Sequence, residues 1–217
     1  MFSIGYSRAS KGSNGFSFGK IILIAIIAVV AIGALSILLL GTNTQISFKA
    51  LLEKNPDHIV VYNVTMESMG YQQYMKIVYA KKGENIKMML SGSTGEAMLL
   101  ILGDKAYSCA SMGDTWQCNE VSKENIVQKD MKYVAQEMQN ITYAGEKHVA
   151  GYASKCWNGT VSKQGVTSRV QLCITNDGVA TLIYSEQVYN GELVGRVKIE
   201  AVEINYNVPD EEFQLPG

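Results

Sequence analysis

Four cysteines are the residues of this chain whose type and spacing point most directly to chemistry, because paired thiols form either disulfides or metal sites. Cys109 and Cys118 lie on either side of a turn sequence, MGDT, at 112–115. Folding the chain symmetrically about the centre of that turn places the two cysteines directly opposite each other. Opposed β-carbons in an antiparallel pair are about 4.5 to 5.5 Å apart, close enough for a bridge. The spacing therefore predicts a disulfide between Cys109 and Cys118.

The second cysteine pair fits the same construction. A two-residue turn at 164–165 places Cys156 opposite Cys173, and we expect a second disulfide there. A bulge in this long hairpin would shift the register. Zinc binding is the alternative interpretation of the four cysteines. However, the chain has no Cys-x-x-Cys spacing, and its two histidines, His58 and His148, are far from the cysteine pairs in sequence. The cysteines therefore predict disulfides, an oxidising compartment and no metal.

Catalytic motifs are absent from the sequence. There is no Gly-x-Ser-x-Gly elbow, no Walker loop, no Gly-x-Gly-x-x-Gly and no His-Glu-x-x-His. A hydrolytic triad would need His58 or His148, and each is more simply interpreted as a strand or loop residue. Trp116 and Trp157 lie beside the predicted disulfides, and we interpret them as packing on these bridges rather than as a binding platform. We therefore expect no enzyme activity and no cofactor.

An apolar run without a charge, IILIAIIAVVAIGALSILLL, occupies residues 21–40. A helix of that length extends about 30 Å, the thickness of the hydrocarbon core of a bilayer, so we interpret the run as a membrane anchor. Arg8, Lys11 and Lys20 precede it without an acidic residue, which by the positive-inside rule places the N-terminus in the cytoplasm. A secretory signal peptide is the alternative, although its apolar core usually ends after about 7 to 15 residues.

These features divide the chain into four expected segments. They are a cytoplasmic segment at 1–20, a transmembrane anchor at 21–41, a linker or juxtamembrane helix at 42–57, and an extracytoplasmic β-rich domain at 58–217. The expected location is the cell membrane, crossed once, with the C-terminal domain outside the cytoplasm. The formal net charge of −1 implies no basic surface, so we expect no nucleic-acid partner.

Turn signals divide the extracytoplasmic part into strands of an antiparallel meander. They include Gly83 and Gly103-Asp104 in its first half, and Asn176-Asp177-Gly178 and Asn190-Gly191 in its second half. Three Asn-x-Thr sequences begin at Asn63, Asn140 and Asn158, and they would receive glycans only where the host has the machinery.

Apolar patterns predict how the sheet is covered. The run 97–102 is apolar on both faces, which predicts a strand buried on both sides. An apolar stripe from Val127 to Met138, with Ser122 as N-cap, predicts a helix that packs on the sheet. Near Ala201 and Val202 the alternation changes phase, which predicts a bulge.

The order of these elements and the C-terminal sequence resemble one known family. The chain ends VPDEEFQLP at 208–216, and GEKHVAGY at 145–152 opens the second meander. With the N-terminal membrane signal and the helical insertion, this pattern resembles the LolA-like lipoprotein-carrier superfamily from about Gln45 to the C-terminus. The resemblance implies an unclosed antiparallel β half-barrel that receives lipid acyl chains, or that senses lipoprotein or envelope state. The expected fold class is therefore α+β, an N-terminal transmembrane helix followed by a curved, unclosed antiparallel β half-barrel packed on a helix.

Methionine is abundant, with ten residues, and flexible thioethers suit an adaptable apolar cavity. Filling of an ordinary core is the alternative interpretation of these side chains. If they line a cavity for an acyl chain, the expected lining residues are Met75, Ile77, Tyr79, Met88, Met98, Leu100, Met131, Val134 and Met138.

The expected function is that of a membrane-anchored domain that binds a lipid, a lipoprotein or another apolar ligand, as a carrier or an envelope sensor. Its expected partners are the membrane and that ligand, and the sequence identifies no protein partner. A pilin-like surface protein is one alternative, because Lys11-Gly12 precedes the apolar run. A prepilin usually carries a Glu shortly after the glycine at which it is cleaved, whereas residues 13–20 of this chain contain no acidic residue. A module that docks a partner at a strand edge without a ligand is the other alternative.

Overall fold

Eleven strands dominate the part of the chain that the computed structural model describes, which comprises residues 43–123 and 139–216 except 69, 94, 114 and 164. One α-helix precedes the strands and one 3-10 helix follows them. The elements are α1 (Asn43–Lys54), β1 (His58–Ser68), β2 (Tyr71–Lys82), β3 (Asn85–Gly92), β4 (Gly95–Leu102), β5 (Lys105–Met112), β6 (Thr115–Val121), β7 (Gln139–Val149), β8 (Tyr152–Lys163), β9 (Val166–Thr175), β10 (Ala180–Tyr189), β11 (Glu192–Asn205) and the 3-10 helix Asp210–Phe213.

The strands form one antiparallel sheet in the order β6-β5-β4-β3-β2-β1-β11-β10-β9-β8-β7. Strands β1 to β6 make one meander and β7 to β11 a second, and pairing of β1 with β11 joins them. Within the described chain β6 and β7 are unpaired edges, so the sheet is unclosed. The second meander curls strongly. Cα atoms of β7 lie within 8 Å of Cα atoms of β11, four strands away, whereas a flat sheet would separate them by about 19 Å.

Two-residue turns of the mirror-image type connect neighbouring strands. Asn190 and Gly191 have φ values of 50° and 85°, as a type I′ turn requires at both central positions. Ala150 and Gly151, with φ values of 52° and 80°, make a similar turn between β7 and β8. Because an alanine rarely adopts positive φ, the sequence contains no clear signal for this second turn.

A bulge near Ala201-Val202 was predicted, and it is confirmed. Val61 pairs with Glu203 and Tyr62 pairs with Ala201, so Val202 has no partner on β1. Val202 is 48% exposed, while Ala201 and Ile204 are buried. The extra residue shifts the alternation by one position, so the apolar residues on both sides of it face the core.

The two faces of the sheet differ in composition. The apolar stripe of α1, formed by Phe48, Leu51 and Leu52, packs on one of them, which we term the helix face. Along each strand, every second residue points to the helix face, and the residues between them point to the other side of the sheet, which we term the opposite face. The helix face is lined across both meanders by Val60, Tyr62, Val64, Ile77, Tyr79, Met88, Leu90, Leu99, Trp157, Leu172, Ile183 and Ile199.

The C-terminal segment covers part of the opposite face. Lys82 Nζ fixes this segment by donating to the Val208 carbonyl oxygen at 3.0 Å and to an Asp210 carboxylate oxygen at 2.7 Å. Strand β4 is buried on both faces, as predicted, because Leu99 joins the helix-face core while its neighbours pack beneath the C-terminal segment. The cluster beneath that segment consists of Ala80, Met98, Leu100, Cys109, Val208 and Phe213.

Both predicted disulfides are confirmed. Cys109 is bonded to Cys118, and Cys156 is bonded to Cys173. The partners of each bridge are directly opposed on neighbouring strands, as the predicted turns require. No bulge shifts the register between β8 and β9. Each bridge therefore links two adjacent strands of one meander.

The predicted fold class, a transmembrane helix followed by a half-barrel packed on a helix, is wrong. The described chain is mainly an unclosed sheet of eleven strands, and its one α-helix is the short α1 upstream of β1. Among residues 43–123 and 139–216, no helix has the length and apolar composition of a membrane span. The predicted span at 21–40 and the predicted helix from Ser122 to Met138 lie outside the described residues, apart from the start of the latter. Helix α1 lies within residues 42–57, where a linker or a juxtamembrane helix was expected, and three apolar residues suffice to dock it on the sheet.

Candidate functional site

Trp157 lies on β8, one strand from the edge strand β7, where α1 meets the second meander. Its side chain is 1% exposed. Its ring centroid is 5.1 Å from that of Phe48 on α1 and 5.8 Å from that of Tyr143 on β7. Such tilted contacts between aromatic rings stabilise a core beyond their buried area. The three rings form an aromatic cluster between α1 and the sheet.

The indole Nε1 of Trp157 is the one polar group of the described side chains that is fully buried without a hydrogen-bond partner. Buried Trp N–H groups usually find an acceptor, and one left without a partner costs about 1 to 3 kcal/mol. The helix face therefore holds an unused donor beside the aromatic cluster.

The other buried polar side chains near the helix face are satisfied and neutral. Tyr62 donates its hydroxyl to the Ala180 carbonyl oxygen at 2.8 Å. Burial raises the pKa of Tyr62 well above its usual range, and the neighbouring Tyr79 raises it further. His58 Nδ1 donates to the Pro56 carbonyl oxygen at 2.6 Å, and burial lowers the pKa of this imidazole. These groups favour contact with an apolar molecule rather than proton transfer.

The predicted cavity-lining residues occupy both faces of the sheet. Ile77, Tyr79 and Met88 are buried on the helix face, and Met75 is partly buried beside them. Met98 and Leu100 lie on the opposite face, beneath the C-terminal segment. The structure therefore brings together four of the predicted residues, and a role of these four in ligand binding stays a prediction. The predicted residues outside the described chain are Met131, Val134 and Met138.

Helix α1 lies at one side of the helix face, against β7 and β9. Lys54 Nζ, in its last turn, donates to the Asn176 carbonyl oxygen at 2.7 Å, which fixes the helix end on the turn between β9 and β10. The six strands of the first meander alone span about 24 Å at ordinary spacing, whereas a helix with its side chains is about 10 Å wide. The apolar face is thus much wider than α1.

Two shallow grooves lie on the opposite face. One has a volume of about 630 Å³ and is bounded by strands β7 to β11, and the other, of about 520 Å³, is bounded by β1 to β3 and β11. Lys198 lines both. Beside the grooves, Arg196 contacts Glu186 at 3.3 Å and Glu67 at 3.4 Å. A hydrogen bond from Tyr184, with a smaller effect from Arg196, lowers the pKa of Glu186.

Two features of the site were missed from sequence. Trp157 was interpreted as packing on the adjacent disulfide, but alternation along β8 directs its ring to the helix face, away from Cys156. Trp116 packs against the cluster that contains Cys109, as Cys118 also does, and its contact with the bridge itself stays a prediction. The C-terminal sequence was used only as a family signature, but two of its apolar residues, Val208 and Phe213, are buried against the opposite face.

No family model matches the chain, and no curated protein matches it in sequence. The fold is similar to those of solved structures that include a LolA superfamily protein, the superfamily that the sequence resembles. It is similar to that of MucB in the MucA/MucB complex of Pseudomonas aeruginosa, with a TM-score of 0.51 and 15% identity over 81% of this chain. That match covers 62% of the MucB chain, so this chain spans less than two thirds of its length.

Two further solved structures match with lower scores. The lipoprotein LppX of Mycobacterium tuberculosis gives a TM-score of 0.47 at 11% identity, with 74% of this chain and 97% of that chain covered. A LolA superfamily protein from Nitrosomonas europaea gives a TM-score of 0.39 at 10% identity, with 77% of this chain and 97% of that chain covered. At these identities the similarity concerns the fold alone.

Proposed function

We propose that this domain binds an acyl chain or a similar apolar ligand against its helix face, and that it carries or senses a lipid or a lipoprotein outside the cytoplasm. Binding is non-covalent, and the domain is not an enzyme. The apolar lining of the helix face across both meanders supports this proposal. Burial of a single acyl chain contributes about 0.8 kcal/mol per methylene, so a modest length of this face suffices to hold one.

The observation that carries the proposal is the unpartnered Nε1–H of Trp157. An ester or carboxyl oxygen of an acyl ligand is an acceptor that would satisfy this donor. The rings of Phe48 and Tyr143 beside it would contact the apolar part of the same molecule. A ligand with one acceptor oxygen and a long hydrocarbon chain matches both features of the site.

The dimensions of the sheet also support the proposal. Helix α1 docks at β7 and β9, whereas Ile77, Tyr79 and Met88 lie on β2 and β3, several strands away. These three side chains are buried, so a ligand binds there by displacing the side chains that cover them. Met88 and Met75 provide thioethers there, which adapt to the shape of a flexible chain.

The two disulfides support a location outside the cytoplasm. All four cysteines are bonded, and none is free. Disulfides form and persist in oxidising compartments and are rare in the cytosol. The lipids and lipoproteins of an envelope are encountered in such a compartment.

Conservative tryptophan variants test the role of the indole donor. Trp157→Phe keeps an aromatic ring beside Phe48 but removes the N–H, and Trp116→Phe makes the same change on the opposite face. If a ligand oxygen accepts this hydrogen bond, Trp157→Phe weakens binding of a fatty acid of about sixteen carbons roughly tenfold. The affinity of Trp116→Phe stays that of the original chain. Binding is measured by titrating the full chain with a fluorescent fatty acid.

Photo-crosslinking locates the ligand independently. A fatty acid with a diazirine near its methyl end is irradiated with the full chain, and modified peptides are mapped by mass spectrometry. We expect adducts on helix-face residues of β2, β3 or β8. No binding by the original chain, equal affinity in the two tryptophan variants, or adducts confined to the opposite face would each refute the proposal.

Docking of a protein partner at a strand edge is a second candidate function. Strands β6 and β7 are both edges of the described sheet, and most residues of β7 are exposed. Unpaired edges present backbone donors and acceptors to an added strand. In its solved complex, MucB of P. aeruginosa, which is similar in fold, is bound to MucA. Protection of β7 amides from hydrogen exchange upon addition of a partner peptide would favour this candidate.

A further inference from the structure

The three Asn-x-Thr sequences of the chain converge on one face of the sheet. Asn63 lies on β1, Asn140 on β7 and Asn158 on β8, and all three are exposed. Asn63 lines the groove of about 520 Å³, and Asn140 and Asn158 line the groove of about 630 Å³. Both grooves belong to the opposite face and share Lys198. None of the three asparagines lies on the helix face, which is buried.

The register strengthens this grouping. Residues i and i+2 of a strand share a face, so Asn63 lies beside Thr65 and Asn158 beside Thr160 on the opposite face. Asn158 and Thr65 belong to a single row across the sheet, in which each residue opposes the next: Asn158, Gln171, Tyr184, Lys198 and Thr65. Two of the three sequences are thus linked by one continuous polar row, about 19 Å from β8 to β1.

We propose that Asn63, Asn140 and Asn158 are N-glycosylation sites and that the opposite face is the glycan-bearing face of the domain. The donor is an oligosaccharide on a lipid diphosphate. A bond forms between the asparagine Nδ2 and the first sugar carbon, the bond from that carbon to the diphosphate oxygen breaks, and the amide proton passes to the diphosphate leaving group or to solvent. The proposal rests on the location outside the cytoplasm given under the proposed function.

The local contacts leave room for the modification. Asn158 accepts a hydrogen bond from Gln171 Nε2 at 2.9 Å through its Oδ1. Its Nδ2 is the atom that receives the sugar, so this hydrogen bond persists after glycosylation. Sugars attached here project from open grooves on the opposite face, whereas the proposed ligand binds on the helix face. The three sites therefore do not compete with the proposed binding surface.

Glycopeptide mass spectrometry tests the proposal on the full chain recovered from the cells that make it. We expect peptides with glycan mass on Asn63, Asn140 and Asn158. Exposed Asn119 on β6 is an internal control, because it is followed by Glu120 and Val121 and lacks the hydroxyl residue. Among variants, Thr65→Ala removes the glycan at Asn63, whereas Thr65→Ser retains it.

Unmodified peptides at all three asparagines would overturn the proposal. Glycan that persists on Asn63 in Thr65→Ala would also contradict it, because transfer would then not depend on the sequence motif. The readout is peptide mass, so it is independent of the fatty-acid titration. Glycopeptides without lipid binding would leave this inference standing and remove the proposed function, and lipid binding without glycopeptides would do the reverse.

Discussion

Substitution of Gly178 by alanine tests how α1 is held on the sheet. Gly178 lies in the turn between β9 and β10, with φ 95°. A β-carbon added there would overlap the Leu51 carbonyl oxygen and would lie 3.1 Å from the Lys54 β-carbon, both on α1. Gly191, with φ 85°, has no atom within 4 Å of an added β-carbon. Gly191→Ala is therefore a matched control with a similar positive φ and no crowding.

The magnitudes follow from these two contributions. Placing alanine in the left-handed region costs about 1 to 2 kcal/mol in either variant. Overlap with a helix backbone atom, which cannot move without shifting α1, adds about 1 to 3 kcal/mol in Gly178→Ala only. The free energy of unfolding is therefore expected to fall by about 1 to 2 kcal/mol in Gly191→Ala and by about 2 to 5 kcal/mol in Gly178→Ala.

Equilibrium unfolding in urea, followed by tryptophan fluorescence, measures this difference. Trp157 contacts Phe48 of α1, so its emission reports on helix docking as well as on unfolding. With a slope of about 2 kcal/mol per molar urea, the midpoint of Gly178→Ala lies roughly 0.5 to 1.5 M below that of Gly191→Ala. Equal midpoints for the two variants would refute the view that close contact between α1 and this turn stabilises the domain.

Two further predictions concern the disulfides and His58. Replacing Cys156 and Cys173, separated by 17 residues, with alanine lowers the free energy of unfolding by about 3 kcal/mol on the loop-entropy model, and replacing Cys109 and Cys118, separated by 9, lowers it by about 2.5 kcal/mol. Urea midpoints in the reverse order would contradict this ranking. Because burial lowers the pKa of His58 in the folded state, stability is complete above the unfolded pKa of about 6.5 and falls as the pH drops below it towards the lowered folded pKa. The variant His58→Asn, which keeps an N–H for the Pro56 carbonyl oxygen, loses this part of the pH dependence, and an unchanged slope below pH 6.5 would show that another group titrates.

The disulfides and the bulge were predictable because they depend on local geometry. Once a tight turn is centred, alternation and strand pairing fix which residues oppose each other, so Cys109 meets Cys118 and Cys156 meets Cys173. The same counting locates the phase change at Val202. These inferences use only residues that are close in sequence or related by one turn.

The assignment of faces was not predictable in the same way. Alternation shows which residues of a strand share a face with Met88 or with Met98. It does not show which of the two faces of each strand lies towards the helix. The register between β3 and β4 decides this, because Met88 opposes Leu99 while Met98 opposes Met89. Met88 and Met98 therefore lie on different faces, although the sequence grouped them in one cavity.

The sequence by itself determined the antiparallel meanders, the two disulfides and the bulge at Val202, because turn residues and period-two alternation are encoded over short stretches of chain. Only the tertiary structure decided what covers each face. Val208 and Phe213 pack on Ala80 and Cys109, and Phe48 packs on Trp157, across separations of roughly 100 residues or more. Burial of such residues depends on the summed fit of distant side chains, and a short apolar segment such as α1 becomes part of the core only when a complementary surface, here the aromatic cluster around Trp157, is assembled beside it.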